Sequence, residues 1–161
     1  MLSTFVASVS LGVVGVALLA AGPVMVLRGC GGKKEIRTEL AAQKITFPVE
    51  RGLPDELTAY AGKPVRTGAE ARAYADLIKV HLDGATRGRT YSELSDEYYA
   101  SGSADEKLAD LRQTAFMGES LRASLMSAYQ AWQLTTLVVG LGALLTALGA
   151  ALIASGAALG L

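Results

Sequence analysis

Two arginines separated by a glycine form the pattern in this sequence that most suggests a ligand site. Arg87 and Arg89 lie directly before Thr90, which with Glu93 has the Thr-x-x-Glu spacing of a helix N-terminus. Guanidinium groups and the free amides of a first helical turn both favour anions. The pattern therefore predicts a phosphate or carboxylate site formed by Arg87, Arg89 and Thr90. If the chain enters a membrane, a lipid headgroup is the expected ligand. The alternative is a solvated basic turn that only links two helices.

Groups that could carry out catalysis are sparse. The single histidine, His81, lies on the rim of the apolar face of a predicted helix, and Asp83, two residues later, points elsewhere. The sequence has no Gly-x-Ser-x-Gly turn and no phosphate-binding glycine loop. We therefore expect no enzymatic activity, no metal site and no cofactor. His81 is interpreted as a satisfied or surface histidine near a helix end, with a pH-sensing or catalytic role as the alternative.

Charged residues are confined to the middle of the chain. The 161 residues include 15 Lys and Arg and 15 Asp and Glu, and all of them lie between Arg28 and Arg122. This distribution excludes an ordinary soluble domain, a disordered charged tail and a nucleic-acid-binding protein with a basic field. It predicts an all-α membrane protein with the lipid bilayer as a partner. Residues 1–27 and 132–161 are the predicted transmembrane helices, and they flank a small helical domain of residues 28–131.

The first uncharged segment is long enough to cross a bilayer. As a helix, Leu2–Leu27 would measure roughly 39 Å, more than the ~30 Å of the hydrocarbon core. A cleaved signal peptide is one alternative, but no Lys or Arg precedes the apolar run, which is also longer than such peptides have. Lipidation of Cys30 is another, because Leu27–Cys30 approximates a lipobox, although Arg28 departs from that pattern. We expect a retained transmembrane helix.

Small residues in the second uncharged segment recur at every fourth position. Such rows flatten one face of a helix, so that another backbone can approach closely. The expected partner is the first span, through Ser8-xxx-Gly12 or Ala17-xxx-Ala21, and self-association or another membrane protein stays open. A generic Ala- and Gly-rich composition is the alternative explanation. The predicted helix-packing residues are Gly142, Thr146, Ala150, Ala154, Ala158, Gly156 and Gly160.

Aromatic and basic residues lie at the ends of the two spans that adjoin the charged region of the chain. Tyr129 and Trp132 lie at the entry to the second span, where amphipathic rings prefer the headgroup level. Neither span carries an ionisable side chain, which argues against a proton relay or an ion transporter in this chain alone. The positive-inside rule favours a cytoplasmic domain, and a signal anchor with the domain outside is the alternative. The basic residues that follow the first span and favour this orientation are Arg28, Lys33, Lys34 and Arg37.

Helix-capping patterns organise the middle of the chain. Three Ser/Thr-x-x-Glu boxes begin at Thr67, Thr90 and Ser103, and each can satisfy two amide donors at a helix start. The last predicted helix starts near Ala104 and continues into the second span, with an interruption near Gly118 as the alternative. A glycine-rich link, a short helix at Glu35–Lys44 and an extended segment at Ile45–Val49 precede these helices. The apolar face predicted for the first of them comprises Ala71, Tyr74, Ala75, Ile78 and Leu82.

The chain has four segments, at Ser3–Gly12, Ala71–His81, Ala85–Leu94 and Ser120–Leu125, whose residues resemble those of a family of small actinobacterial membrane proteins with two spans. The resemblance covers most of the chain and is loose between Glu50 and Gly68. It implies the two-span architecture. Its members are uncharacterised, and some carry an aromatic ring-opening dioxygenase label. The matching segments are Ala71-x-Ala73-Tyr74-Ala75-x-x-Ile78-x-x-His81, Ala85-Thr86-x-Gly88-x-Thr90-Tyr91-x-Glu93-Leu94, Ser120-Leu121-Arg122-Ala123-Ser124-Leu125 and Ser3-Thr4-Phe5-Val6-x-Ser8-Val9-Ser10-Leu11-Gly12.

Two features of that family do not transfer to this sequence. A non-haem iron oxygenase uses two histidines and a carboxylate, whereas His81 is the only histidine here. Relatives have paired cysteines in the middle region, which would suit an oxidising compartment outside the membrane, but Cys30 is the only cysteine here. The resulting hypothesis is a non-enzymatic accessory or scaffold subunit that acts through helix–helix packing. The alternative is a membrane-anchored sensor that binds a lipid headgroup or small anion through Arg87-Gly88-Arg89.

Overall fold

The computed structural model of the chain describes residues 2–49 and 52–160, and most of these residues are helical. Among them no strand occurs, and one isolated backbone bridge joins Thr46 to Pro64. Two helices each contain a stretch that is long and apolar enough to cross a membrane. The predicted all-α class and the two candidate spans are therefore confirmed. The elements are α1 (Leu2–Ala42), a 3-10 helix (Asp55–Tyr60), α2 (Gly68–Thr86), α3 (Tyr91–Ala100) and α4 (Glu106–Gly160).

Contacts divide the chain into two compact units. The first, called the helix pair below, comprises Met1–Glu35 and Trp132–Leu161. The second, called the polar domain, comprises Ile36–Ala131. The boundary predicted from the sequence lies after Leu27, at the first charged residue. In the structure the boundary is later, because the turn of α1 that follows Leu27 still packs against α4 within the helix pair.

The helix α1 extends further than its glycines suggested. A link at Gly29–Gly32 and a separate helix at Glu35–Lys44 were expected, whereas α1 continues without a break to Ala42. Glycine costs about 1 kcal/mol in a helix relative to alanine, so local preference alone disfavours helix here. Tertiary packing outweighs that cost, because Gly29 and Gly32 lie directly against the side chains of Val139 and Thr135.

The capping boxes predicted at the starts of α2 and α3 are both confirmed in type and position. The Thr67 hydroxyl accepts a hydrogen bond from the amide of Glu70, and the Glu70 carboxylate accepts one from the Thr67 amide at 2.8 Å. Thr90 and Glu93 form the same reciprocal pair at the start of α3. These caps satisfy amides that have no partner inside the helix, and so they fix where α2 and α3 begin.

The third predicted box is wrong. Asp105 caps α4 instead, and its carboxylate accepts hydrogen bonds from the amides of the second and third helical residues at 2.9 and 3.2 Å. Ser103 has a left-handed backbone with φ of 61°, whereas an N-cap residue is extended. The helix then passes through Gly118 without interruption. A methyl group at Gly118 would lie 2.6 Å from the Leu82 side chain, so this glycine serves helix packing.

The core of the polar domain forms around Phe47, which is 1% exposed. Its ring stacks on Tyr60 at 5.1 Å between centroids and meets Tyr74 edge-on at 5.0 Å. The amide of Phe47 donates to the carbonyl of Lys63, which holds the extended segment in place. The face predicted for α2 is buried at Ala71 and contributes Tyr74 as a packing neighbour. The other buried members of the core are Leu40, Val65, Ala73, Ala75, Leu77 and Leu125.

Candidate functional site

The helix pair is held together by opposed small residues that recur every seven positions in both helices. As the positions increase along α1 they decrease along α4, so the two helices run antiparallel. We call this arrangement the glycine ladder. Its opposed pairs are Ser8 with Gly156, Gly15 with Gly149, Gly22 with Gly142, and Gly29 with Thr135.

The glycine ladder brings backbone directly against backbone. A methyl group added at Gly149 would lie 2.6 Å from the carbonyl oxygen of Gly15 and 2.6 Å from the amide nitrogen of Leu19. The hydroxyl of Ser8 donates a hydrogen bond of 2.6 Å to the carbonyl of Gly156 near one end of the ladder. In lipid, apolar surface gives no driving force for helix association, so contact this close supplies the dispersion and weak polar interactions instead.

The predicted packing residues divide into two groups. Gly142 and Gly156 are buried in the ladder, Thr146 is half-buried beside it, and Gly160 lies near Ser8. The other three, Ala150, Ala154 and Ala158, are exposed in the structure. Steps of four residues rotate around a helix by about 40° each, whereas steps of seven drift by only about 20°. A row with four-residue spacing therefore leaves the contact face, while the seven-residue row stays on it.

Five of the eight ladder residues were not predicted from the sequence, namely Gly15, Gly22 and Gly29 on α1 and Thr135 and Gly149 on α4. Gly15, Gly22 and Gly29 nevertheless stand seven residues apart in the sequence. The signal that could have found them is this shared period in both apolar segments. Such a period marks a seam between two helices that wrap around each other.

A second face of α4 in the helix pair is small and exposed. A shallow groove of about 530 Å³ runs along part of this face, and a methyl group added at Gly140 would meet nothing within 4 Å. The predicted packing residues Ala150 and Ala154 lie on the same side of the helix as Gly140. The exposed small residues of this face are Thr136, Gly140, Ala143, Ala147, Ala150, Ala154 and Ala157.

The arginine loop in the polar domain is largely bonded within the chain. The guanidinium of Arg89 donates to the carboxylate of Glu97 at 2.6 Å and to the carbonyl of Thr86 at 2.9 Å. Arg87 is exposed and ends α2 with a left-handed backbone. Of the predicted anion ligands, Arg89 therefore already faces a carboxylate within the chain. An incoming anion would have to compete with Glu97.

Thr90 is also engaged by its own helix. Its hydroxyl lies 2.8 Å from the carboxylate of Glu93, and its amide donates to the same carboxylate at 2.7 Å. These hydrogen bonds, helped by the nearby Arg89, hold the pKa of the Glu93 carboxyl below its ordinary value of 4.5. The first turn of α3 therefore already contains an anion, which is the side chain of Glu93.

A cavity of about 290 Å³ borders this loop, and its wall includes both signs of charge. Arg89 contributes a guanidinium, whereas Asp83 and Glu119 contribute carboxylates. Asp83 pairs with Lys79 at 2.6 Å, so that carboxylate is already matched by a lysine outside the cavity wall. Glu119 is likewise paired with Arg122 at 3.1 Å, and Arg89 is paired with Glu97. The cation of this wall therefore already has a carboxylate partner, which makes the cavity a poor match for a small anion. Anion binding by Arg87, Arg89 and Thr90 stays a prediction.

His81 connects α2 to the loop before the 3-10 helix. Its Nε2 atom lies 2.6 Å from the carbonyl oxygen of Gly52, and because a carbonyl only accepts, Nε2 is the donor. Gly52 has φ of 81°, a conformation that favours glycine. This contact agrees with the structural interpretation of His81. In the described ranges, 2–49 and 52–160, no group of three His, Cys, Asp or Glu side chains could hold a metal ion.

Each predicted interface aromatic has a cation beside its ring. In the helix pair, Nζ of Lys33 lies 5.5 Å from the ring centroid of Trp132. In the polar domain, the guanidinium carbon of Arg72 lies 5.7 Å from the ring centroid of Tyr129. Cations near indole and phenol faces are attracted by the ring quadrupole. Trp132 therefore belongs to a basic and aromatic turn of the helix pair.

Comparison with known proteins adds no assignment. No family model, curated protein or solved structure matches this chain. The resemblance to the two-span actinobacterial family stays a prediction. The features of this chain that bear on its function are the glycine ladder, the exposed face of α4 and the arginine loop.

Proposed function

We propose that this protein is a non-enzymatic accessory or scaffold subunit, inserted in a membrane through α1 and α4. The glycine ladder carries this proposal, because contact of backbone on backbone through small residues is the usual way for two helices to associate in lipid. The outward faces support it, since Phe5, Leu27 and Leu137 are 65%, 72% and 66% exposed. Apolar surface on this scale marks a membrane or protein contact.

The exposed small face of α4 is the proposed contact surface for a second copy or another membrane subunit. Gly140 and Ala147 lie on this face, and neither is needed for the contact between α1 and α4. The occupant can be identified with a single cysteine in place of Ala147, in a chain whose Cys30 is serine. Oxidation in native membranes should then produce a disulfide-linked species, of doubled mass for self-association and of another mass for a partner.

A control separates this contact from random collision. Leu148 is also exposed, but it lies about 100° around the helix from Ala147. Cysteine at Leu148 should therefore cross-link much less than cysteine at Ala147. Equal cross-linking at both positions, or none at either, would exclude this face as the contact surface.

The domain is proposed to lie on the cytoplasmic side of a multi-pass cell-membrane protein. The support is the basic cluster that follows the first apolar segment, of which Arg28 and Lys33 are members. A cysteine in place of the exposed Ser101, again without Cys30, can be tested with an impermeant maleimide in intact cells. Labelling only after permeabilisation is expected. Labelling of intact cells would place the domain outside.

The sensor alternative has weaker support. Arg89 already faces Glu97 at 2.6 Å, and Arg87 remains as the exposed guanidinium of the loop. Flotation with anionic vesicles should change little when Arg87 and Arg89 are both replaced by alanine. A large loss of binding in that double variant would favour the sensor.

A further inference from the structure

The charged side chains of the helix pair all lie near one end of it. Within this unit α4 contributes no charged side chain from Trp132 onward. The charges come from one stretch of α1, where cations outnumber anions. They are Arg28, Lys33, Lys34 and Glu35.

The glycine ladder brings this stretch next to α4. A methyl group at Gly29 would lie 2.6 Å from the Val139 side chain, and one at Gly32 would lie 2.9 Å from that of Thr135. Lys33 follows immediately, and its Nζ atom lies 5.5 Å from the ring centroid of Trp132. Close packing of small residues thus places Lys33 of one helix beside the indole of the other.

In the part of the chain that the structure describes, neither Arg28 nor Lys33 forms an ion pair. The ring of Trp132 attracts the ammonium of Lys33 but leaves its charge in place. Arg28 is exposed and lies on another side of α1 from Lys33, about 140° around the helix. Positive charge therefore lies on two sides of α1 at the end of its apolar segment.

We propose that Arg28, Lys33 and Trp132 form a basic collar that selects anionic phospholipids from the surrounding bilayer. Tryptophan prefers the headgroup level, so Lys33 beside it lies at the depth of the lipid phosphates. Arg28 starts about 7.5 Å further along α1, and its long side chain can extend to the same level. Zwitterionic lipids carry an ammonium that offsets the phosphate, whereas anionic lipids leave the phosphate charge for the collar. A basic residue near an anionic surface favours binding by roughly fivefold. This inference rests on the proposed membrane insertion.

Trp132 is the only tryptophan, so its fluorescence reports the lipid beside the collar. The full chain is reconstituted in phosphatidylcholine vesicles that contain equal fractions of either brominated phosphatidylglycerol or brominated phosphatidylcholine. Bromine quenches nearby tryptophan, so the ratio of the two quenching efficiencies gives the relative affinity. We expect a several-fold preference for the anionic lipid that falls as salt is raised, because salt screens exposed charges.

Variants assign the preference to named residues. Arg28→Gln and Lys33→Gln should each remove part of this preference, and the double variant should bring the ratio close to one. Lys107→Gln removes the same charge from the polar domain and should leave the preference unchanged. Because each ratio is taken within one variant, a change in the intrinsic emission of Trp132 cancels.

Each contrary result has a separate meaning. Equal quenching by both lipids in the wild-type protein would overturn the collar while leaving membrane insertion intact. Quenching by neither lipid would overturn insertion, and with it the proposed function. A preference that persists without Arg28 and Lys33 would show that other residues select the lipid. If inorganic phosphate at matched ionic strength abolished the preference, the collar would be a site for soluble anions.

Discussion

Replacing Gly149 with alanine should force α1 and α4 apart. The new methyl group would lie 2.6 Å from the carbonyl oxygen of Gly15 and 2.6 Å from the amide nitrogen of Leu19. Both neighbours are backbone atoms, so no side-chain rotation can relieve the contact. Ordinary contact begins at 3.4 Å, and the helices must therefore separate locally by roughly 0.8 Å, the difference between 3.4 and 2.6 Å.

The expected cost follows from this displacement. A gap of about 0.5–1 Å already forfeits a quarter to a half of each dispersion contact along the seam. Overpacking of this kind typically costs about 1–3 kcal/mol. Alanine also favours the helix over glycine by up to about 1 kcal/mol, which partly offsets the loss.

Gly12→Ala is the matched control, because it makes the same substitution within the helix pair, on α1, with nothing within 4 Å. Gly12→Ala should show the gain in helix preference alone. The difference between the Gly149→Ala and Gly12→Ala variants should thus equal the overpacking cost, about 1–3 kcal/mol, or roughly 5- to 150-fold in the equilibrium constant for separation.

Separation of the helix pair can be followed through Trp132, which lies in this unit and is the only tryptophan. The full chain is titrated with a denaturing detergent in mixed micelles while Trp132 emission is recorded. Gly149→Ala should lower the midpoint, and Gly12→Ala should not. If both variants have the same midpoint, the helices are not packed through the glycine ladder and our reasoning is wrong.

Three further predictions concern single hydrogen bonds. Ser8→Ala removes the bond to the carbonyl of Gly156 and should cost about 0.6 kcal/mol in the same detergent titration, with an unchanged midpoint as the refuting result. The pKa of Glu93 is lowered by its bonds to Thr90, so its contribution to the free energy of unfolding is present above pH 4.5 and is lost as pH falls through the folded-state value. Glu93→Gln should therefore weaken the loss of thermal stability of the full chain at acid pH, as followed by the near-ultraviolet circular dichroism of tyrosine. An unchanged dependence of thermal stability on pH would contradict this prediction. His81→Ala should lower the stability of the polar domain by about 0.5–1.5 kcal/mol in the same assay, and no loss would show that the contact with the loop is not formed.

Features that depend on neighbouring residues were predictable from the sequence. The apolar segments, the caps at Thr67 and Thr90 and the buried face of α2 all follow from spacing within one or two helical turns. The cap at Asp105 was missed because Ser103 has the same favourable spacing, and only the left-handed backbone of Ser103 excludes it. For the candidate contact face, the sequence indicated that small residues matter in α4. It did not indicate whether the row with four-residue spacing or the row with seven-residue spacing faces α1.

The class of this protein follows from residue order alone: two uncharged segments are long enough to span a bilayer as helices, and a charged helical region lies between them. Hydrophobicity, charge and capping act over short distances, so they can be inferred from residue order alone. Tertiary structure decided which glycines meet, because Gly149 faces Gly15 only once the two helices have a common register. It also decided that Arg89 meets Glu97 and that Lys33 meets Trp132, since each contact depends on how separate segments pack.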